Sequence, residues 1–232
     1  VLTGLSGSSV GLPRLAASLD AGDAWSLEGA APTNAEPSIL HTVLSPKSLV
    51  IEMVVSRRLL QNASADVDAL LRSELRARIG AAIDRVALVG DGVAQPLGLL
   101  SAEGLKVHAL GTNGAALSHA DLCALEHLVN TPHPPAGDLT WLASPKLVHK
   151  LRTTPRNDAV SVLEDRDALG YPLQVQQHMP DNLTKGTSTG VCSALVLGNF
   201  AELFVGFWGA AAVDLIVDGH TMAKDGRVRI VA

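Results

Sequence analysis

The longest regular pattern of apolar residues in the chain lies between residues 65 and 89. Apolar side chains recur there every four residues, at Val67, Leu71, Leu75, Ile79 and Ile83. This spacing predicts an α-helix about 37 Å long, because each residue adds about 1.5 Å. Since the helix repeats about every 3.6 residues, a spacing of four carries the apolar stripe slowly around its axis. We therefore expect this helix to contact more than one neighbouring element.

We predict that segment 56–100 is one long helix that ends in a glycine-rich loop, and its polar residues indicate a structural role rather than an active site. Ser64 is a candidate N-cap, since its hydroxyl can accept a hydrogen bond from the first turn. Two i,i+4 pairs of opposite charge lie on the exposed positions: Asp68 with Arg72, and Glu74 with Arg78. Such pairs each stabilise a helix by a few tenths of a kcal/mol. The segment carries no cluster of catalytic residue types.

A glycine-rich loop, Gly90–Gly98, follows the predicted helix. Gly90-Asp91-Gly92 begins like a dinucleotide-binding fingerprint, but Gln95 stands near the place of the third glycine. The loop also follows a helix, whereas phosphate binding needs a strand that leads into a helix N-terminus. We interpret it as a helix C-cap that contains a left-handed glycine.

The remaining chain alternates between short helical and strand patterns. Ser118 and Asp121 form a capping-box start for a helix that runs to about residue 129, and Ser144-Pro145 opens a second helix that ends near residue 152. The predicted strands are 48–56, 139–143, 171–176, 194–197, 202–207, 211–217 and 227–231, with a loop over 153–169. This order predicts an α+β fold in which helices flank a mixed sheet.

The first 48 residues lack a sustained period. Residues 1–24 are rich in Gly, Ser, Leu and Ala and predict an extended arm. Residues 26–48 contain three prolines and a short apolar run at Ile39–Leu44, which predicts a long projecting loop with a two-stranded ribbon as one form of it. Loops longer than about 15 residues in compact domains are usually functional or disordered.

Composition restricts the class of protein. The chain has 232 residues, of which 47% are hydrophobic and 18% charged, so one large or two small domains can bury a substantial core. A net charge of −5 argues against tight, direct nucleic-acid binding. Cys123 and Cys192 are far apart in sequence, which predicts reduced core thiols and folding in the cytosol. The chain starts at Val1 without a visible signal peptide, so we expect a processed or trimmed product.

The apolar stretch from residue 194 to 217 is a candidate for either buried strands or a membrane span. Asn199, Glu202 and Asp214 interrupt it. Because polar residues are costly within a bilayer, we predict buried strands and no membrane association.

Motifs that would indicate chemistry are incomplete. Asp165 and Asp167 resemble the start of a calcium loop, but Leu169 and Gln176 occupy two ligand positions. The eight histidines include no HExxH, and Gly4–Ser8 does not form a nucleophile elbow. We therefore predict no catalytic, cofactor-binding or metal-binding residues, and a protein that is not an enzyme.

Six short segments, taken in order, resemble a known family. They are Trp25-Ser-Leu-Glu28-Gly29, Pro46-Lys47, Val55-Ser-Arg57-Arg58-Leu-Leu60, Ala87–Leu100, Leu169-Gly-Tyr-Pro-Leu173 with His178-Met-Pro180, and Leu197-Gly-Asn-Phe200. This ordered set resembles the major capsid proteins of tailed bacteriophages with the HK97-type fold. The resemblance covers nearly the whole chain.

The resemblance implies a division of the chain into five parts. These are an N-terminal arm (1–25) left after removal of a scaffolding segment, an extended loop (26–48), a peripheral domain (49–105) with spine helix 65–89, an axial domain (106–220), and a return to the peripheral domain (221–232). It also implies subunit-interface residues: Trp25, Glu28, Ile39, Leu40, His41, Lys47, Arg57, Arg58, Arg72 and Arg76.

The implied function is that of a structural protein that self-assembles into an icosahedral virion shell around double-stranded DNA. Its partners would be copies of itself in pentamers and hexamers, a portal, a scaffold or protease, decoration proteins, and DNA contacted without sequence specificity. Assembly would take place in the host bacterial cytoplasm. The acidic net charge fits weak phosphate contacts but also fits ordinary solubility.

Some family members join subunits through a Lys–Asn isopeptide. Here His41 stands near the lysine position and Asp225 replaces the asparagine, so we expect no covalent crosslink. Two alternatives remain: an encapsulin-type nanocompartment shell, which shares the fold, and a soluble α/β enzyme with catalytic residues distant in sequence.

Overall fold

A computed structural model describes residues 1–15, 39–62, 65–131, 137–155, 161–163, 167–209 and 213–232. The chain divides into two compact units. One comprises Val1–Lys47 and Val205–Asp214; the other comprises Ser48–Phe204 and Leu215–Ala232.

The smaller unit consists of two separate strand pairs. Strand β1 (Leu2–Leu5) runs parallel to β11 (Gly206–Trp208). Strand β2 (Val10–Leu15) runs antiparallel to β3 (Ile39–Leu44) over six consecutive residue pairs. The indole Nε1 of Trp208 donates a hydrogen bond to the Gly7 carbonyl at 3.1 Å, which ties the first pair to the turn that leads into β2.

The core of the larger unit surrounds a four-stranded sheet. The strand order is β10 (Leu195–Gly198), β5 (Thr140–Ala143), β7 (Tyr171–Val175) and β6 (Asp167–Ala168). Two helices supply further core residues, α3 (His119–Asn130) and α4 (Pro145–Thr153). Trp141 is fully buried at the centre, and its Nε1 donates to the Ala168 carbonyl at 2.9 Å, so the polar atom of this side chain is satisfied.

A second sheet in this unit joins distant parts of the chain. Its order is β12 (Ile216–Asp218), β13 (Arg227–Val231) and β4 (Glu52–Ser56), all antiparallel. Two hydrogen bonds between Ile51 and Ala232, of 2.8 and 3.0 Å, extend the pairing of β4 with β13. Strand β12 lies within the range 106–220 that the resemblance assigns to the axial domain, and the other two strands of the sheet lie outside that range.

Two helices follow β4. Helix α1 (Arg57–Asn62) starts after Ser56, whose Oγ accepts a hydrogen bond from the Leu59 amide at 3.1 Å. Helix α2 (Ala65–Val89) has the bounds predicted from the apolar pattern. Leu75 is buried and the other four stripe residues are half-buried, whereas Leu70 is 64% exposed. The stripe is therefore the covered side of α2.

Several local predictions are confirmed. Ser118 and Asp121 form a full capping box at the start of α3. Ser144 caps α4, with Pro145 in its first turn. Glu74 and Arg78 form an ion pair of 2.8 Å. The Asp68 side chain and Ser64 lie outside the described part of the chain, so the other predicted pair and cap stay predictions.

Other expectations need correction. Segment 56–100 is not one helix, because α1 precedes α2. Residues 1–15 contain two strands, although their sequence shows no sustained period. Each strand forms because it pairs with a strand that is distant in sequence. The predicted strand 202–207 begins instead as a 3₁₀ turn, Phe200–Glu202, before β11. A hairpin of β8 (Leu183–Lys185) and β9 (Ser188–Cys192) lies where no element was predicted.

Buried strands were also expected from 194 to 217, and this is wrong for the second half. Phe204, Ile216 and Val217 are 53%, 58% and 63% exposed in the single chain. Leu197, by contrast, is buried in β10. Cys123 and Cys192 are free, as predicted, and are half-buried rather than fully inside the core.

Candidate assembly surfaces

The β2–β3 ribbon exposes apolar side chains on both faces. Residues directly opposite one another share a face, so Ile39 and Val43 lie on one face and Leu40 lies on the other. Their exposed fractions are 59%, 63% and 46%. A two-stranded ribbon is only marginally stable in water, and exposed apolar patches commonly mark interaction sites. The ribbon therefore has the properties of a surface that becomes covered by another molecule.

Strand β12 provides a second exposed apolar surface, in the larger unit. It is one of the two edge strands of its sheet, and Ile216 and Val217 are largely exposed. Edge strands present unpaired backbone groups and are usually covered or blunted by charge. Strand β12 carries one charged residue, Asp218, and the adjacent strand β13 carries Arg227 and Arg229.

The turn after β12 is held by one carboxylate. Asp218 accepts hydrogen bonds from the Thr221 hydroxyl, from the His220 amide at 2.8 Å and from the Thr221 amide at 3.1 Å. These hydrogen bonds, with a smaller contribution from the charge of Arg229, lower the pKa of Asp218 to about 2. Arg57 donates to the Gly219 carbonyl, so the first residue of α1 is attached to the same turn.

The two ends of the loop Gly90–Gly98 approach each other closely, and the Gly98 amide donates to the Gly90 carbonyl at 3.0 Å. Gly90 is buried, and a Cβ there would lie 1.9 Å from the Pro96 carbonyl oxygen. Asp91 accepts hydrogen bonds from the amides of Val93 (2.9 Å) and Gln95 (3.1 Å), which lower its pKa. The predicted left-handed C-cap does not form at Gly90, which follows α2 and is required for close approach. The left-handed glycine is Gly92, with φ of 74°, three residues after the last residue of the helix. The structure contains a tight structural turn at this place.

Carboxylates in the four-stranded sheet region also have structural partners. Asp121 accepts from the Ser118 hydroxyl and amide, and from His108 Nε2 at 3.2 Å. These contacts lower the pKa of Asp121, with the Ser118 hydroxyl making the largest contribution. Tyr171 donates its hydroxyl proton to Glu126 at 3.0 Å, and this bond raises the pKa of Tyr171. In each case a cap or a side-chain contact accounts for the shift.

The predicted interface residues fall in three places. Ile39, Leu40 and His41 lie together on β3 and are exposed, and Lys47 is exposed at the end of the same unit. Arg57 and Arg58 begin α1, and Arg72 and Arg76 lie one turn apart on α2; all four are exposed. Trp25 and Glu28 lie outside the described residues. No contact with a second copy tests these assignments, so they stay predictions.

Neither a metal cluster nor a membrane helix occurs in the described ranges. No group of three or more His, Cys, Asp or Glu residues there could hold a metal ion. No described helix is both long and apolar enough to span a bilayer. Residues 164–166, at the incomplete calcium motif, lie outside these ranges.

Exposed apolar strands on a subunit with a long helix are typical of a structural protein that associates with other molecules. Comparison with known proteins also indicates a structural protein. The model of the phage capsid family matches residues 2–232. The chain belongs to the phage capsid family, and it is a structural capsid shell protein.

Solved structures confirm the α+β, HK97-like fold. The chain resembles the capsid of a native GTA particle with a TM-score of 0.74 at 18% identity, covering 99% of this chain and 80% of that one. For a structure from Mycobacterium phage Cain the TM-score is 0.65 at 12% identity, with 99% and 78% covered. For one from Gordonia phage Cozz it is 0.60 at 15% identity, with 100% and 76% covered. A comparison with curated proteins gives no match.

Sequence reasoning missed two parts of these surfaces. The pairing of β2 with β3 joins residues assigned to the arm with residues assigned to the loop. No local signal identifies such a partner, although the alternation of Val10 and Leu12 with other residues is compatible with a strand. The exposure of β12 was missed because an apolar run does not reveal whether its own chain covers it.

Proposed function

We propose that this chain builds an icosahedral virion shell from pentamers and hexamers of itself, and that the shell encloses double-stranded DNA. The observation that carries the proposal is the β2–β3 ribbon, whose two apolar faces are largely uncovered. In a shell, neighbouring copies would cover these faces. Burial of apolar surface gains about 25 cal/mol per Å² before the costs of association.

We assign the ten predicted interface residues to these contacts, together with an arm at 1–25 and a loop at 26–48. Helix α2 would be the spine of a peripheral domain (49–105 and 221–232), and residues 106–220 would form an axial domain. An exposed ribbon suits a shell, because the same surface must accept neighbours in slightly different orientations.

The proposed partners extend beyond the chain itself. They are a portal, a scaffold or protease, decoration proteins and the packaged DNA, with assembly in the host bacterial cytoplasm. A net charge of −5 supports DNA contact without tight or sequence-specific binding, since each neutralised phosphate adds salt-sensitive affinity. We propose that the chain has no catalytic activity and that its subunits form no covalent crosslink.

Electron microscopy of the purified protein tests the assembly. We expect rings or closed shells, and particles isolated from cells should contain nucleic acid. A monodisperse small species under all assembly conditions would contradict the proposal. Particles filled with protein and free of nucleic acid would instead indicate a nanocompartment, which the family match does not favour.

A further inference from the structure

The single Asn-Gly dipeptide of the sequence, Asn113-Gly114, lies in an exposed turn before α3. Asn113 is exposed, and Gly114 has a φ of 77°. Because glycine has no Cβ, the backbone at Gly114 can approach the preceding side chain more freely than any other residue would allow. Glycine in this place therefore hinders least an attack of the next backbone nitrogen on the asparagine amide.

Asn113 also holds the β8–β9 hairpin. Its Oδ1 accepts a hydrogen bond from the Thr187 amide, in the hairpin turn, at 3.0 Å. A Cβ on Gly186 would lie 2.1 Å from the same oxygen, so the turn fits closely against this side chain. Lys185 adds a longer contact, from Nζ to the Leu110 carbonyl at 3.5 Å. The amide oxygen of Asn113 is therefore the closest hydrogen-bond acceptor outside the hairpin for its turn, and the contact from Lys185 is longer.

We propose that Asn113 is a site of spontaneous deamidation, and that its isoaspartate product releases the β8–β9 hairpin. The Gly114 backbone nitrogen bonds to Cγ of Asn113, the Cγ–Nδ2 bond breaks, and ammonia leaves with the proton from the Gly114 amide. Water then opens the succinimide ring. Cleavage between the Gly114 nitrogen and Cγ gives aspartate, and cleavage between that nitrogen and the α-carbonyl gives isoaspartate. The reaction consumes only water.

The hydrogen bond from Thr187 favours the first step. Negative charge develops on Oδ1 when Cγ is attacked, and a backbone N–H already points at that oxygen. Asn199 is a natural comparison, because its Oδ1 accepts from the Ala201 amide at the same distance of 3.0 Å, but Phe200 follows it. Asn182 is exposed like Asn113, and Leu183 follows it. The three residues separate the effect of glycine from those of hydrogen bonding and exposure.

The two products differ in what they do to the hairpin. Aspartate keeps a carboxylate oxygen with the same reach, which can still accept from the Thr187 amide. Isoaspartate routes the main chain through Cβ and Cγ and leaves a shorter carboxylate on Cα. That change moves the acceptor away from a turn in which Gly186 leaves no spare room.

Peptide mapping of the purified, full-length protein aged in neutral buffer tests the first half of the proposal. We expect Asn113 to convert at least about tenfold faster than Asn182 and Asn199. The glycine that follows Asn113 gives the backbone more conformational freedom than the leucine and the phenylalanine that follow the other two. Equal rates at the three sites would overturn it. This result does not depend on shell assembly, so it stands or fails independently of the proposed function.

Hydrogen exchange on the separated isoaspartate fraction tests the second half. We expect the Thr187 amide and the rest of residues 183–192 to lose protection in that fraction. The Asn113→Asp variant is the matched control and should keep its protection. Full protection of the hairpin in the isoaspartate form would show that Asn113 does not hold it.

Discussion

Replacing Ile39 and Val43 by threonine should weaken assembly without unfolding the subunit. Both residues lie on one face of the β2–β3 ribbon and are 59% and 63% exposed in the single chain. Threonine is also β-branched and favours strands, so the ribbon should keep its conformation. The variant changes only the surface that we propose a neighbouring copy covers.

The expected magnitude follows from the exposed fractions. Full burial of an isoleucine or valine side chain is worth about 1.5–3 kcal/mol, and roughly three-fifths of each remains to be buried. The two sites together therefore contribute about 2–4 kcal/mol per ribbon contact. Threonine keeps one γ-methyl group of each side chain, so this sum is an upper limit, and the protein concentration at which shells appear should rise by up to about 700-fold, since about 1.4 kcal/mol is tenfold.

Light scattering against protein concentration measures assembly, and urea unfolding of the dissociated subunit checks its stability. The control is Val107→Thr, which makes the same chemical change at a side chain that is 75% exposed outside the ribbon. If the double variant assembled at the concentration of the unmodified protein, burial of this ribbon face could not drive assembly. Equal losses in the control would also refute a role specific to the ribbon.

Three further predictions concern the subunit alone. Gly90→Ala should destabilise it by at least about 3 kcal/mol in urea unfolding, because the new Cβ would lie 1.9 Å from the Pro96 oxygen; Gly80→Ala in α2, where a Cβ meets nothing within 4 Å, should instead stabilise it by about 0.5–1 kcal/mol. Trp141→Phe should cost about 1–3 kcal/mol in the same assay, because it removes a buried hydrogen bond and leaves a cavity, and an unchanged midpoint would contradict this role. Folding lowers the pKa of Asp218 from 3.8 to about 2, so its ionised form stabilises the folded state above pH 3.8, and this stabilisation should be lost as the pH falls from 3.8 to about 2. Asp218→Asn should remove this part of the pH dependence of unfolding, and identical pH profiles for the variant and the unmodified protein would contradict the prediction.

Elements with local signals could be predicted from the sequence. The bounds of α2, the capping box at Ser118 and the start of α4 at Ser144-Pro145 all depend on residues within a few positions of one another. Helical periodicity and capping act over one or two turns, so the responsible residues are adjacent in sequence. The ordered motifs were enough to identify the capsid family, and the family match confirms it.

Strand partners and surface exposure depended on the tertiary structure. The pairing of Val10–Leu15 with Ile39–Leu44, and of Ile216–Asp218 with Arg227–Val231, joins segments separated by turns or long stretches of chain. The backbone hydrogen bonds of a strand are made with another strand, and the local sequence does not reveal which strand is that partner. Likewise, an apolar run predicts that a surface becomes buried, but only the folded chain reveals whether its own residues cover it. For Ile39, Val43 and Val217 they do not, and the physical reason that these residues are apolar must then lie outside the single subunit.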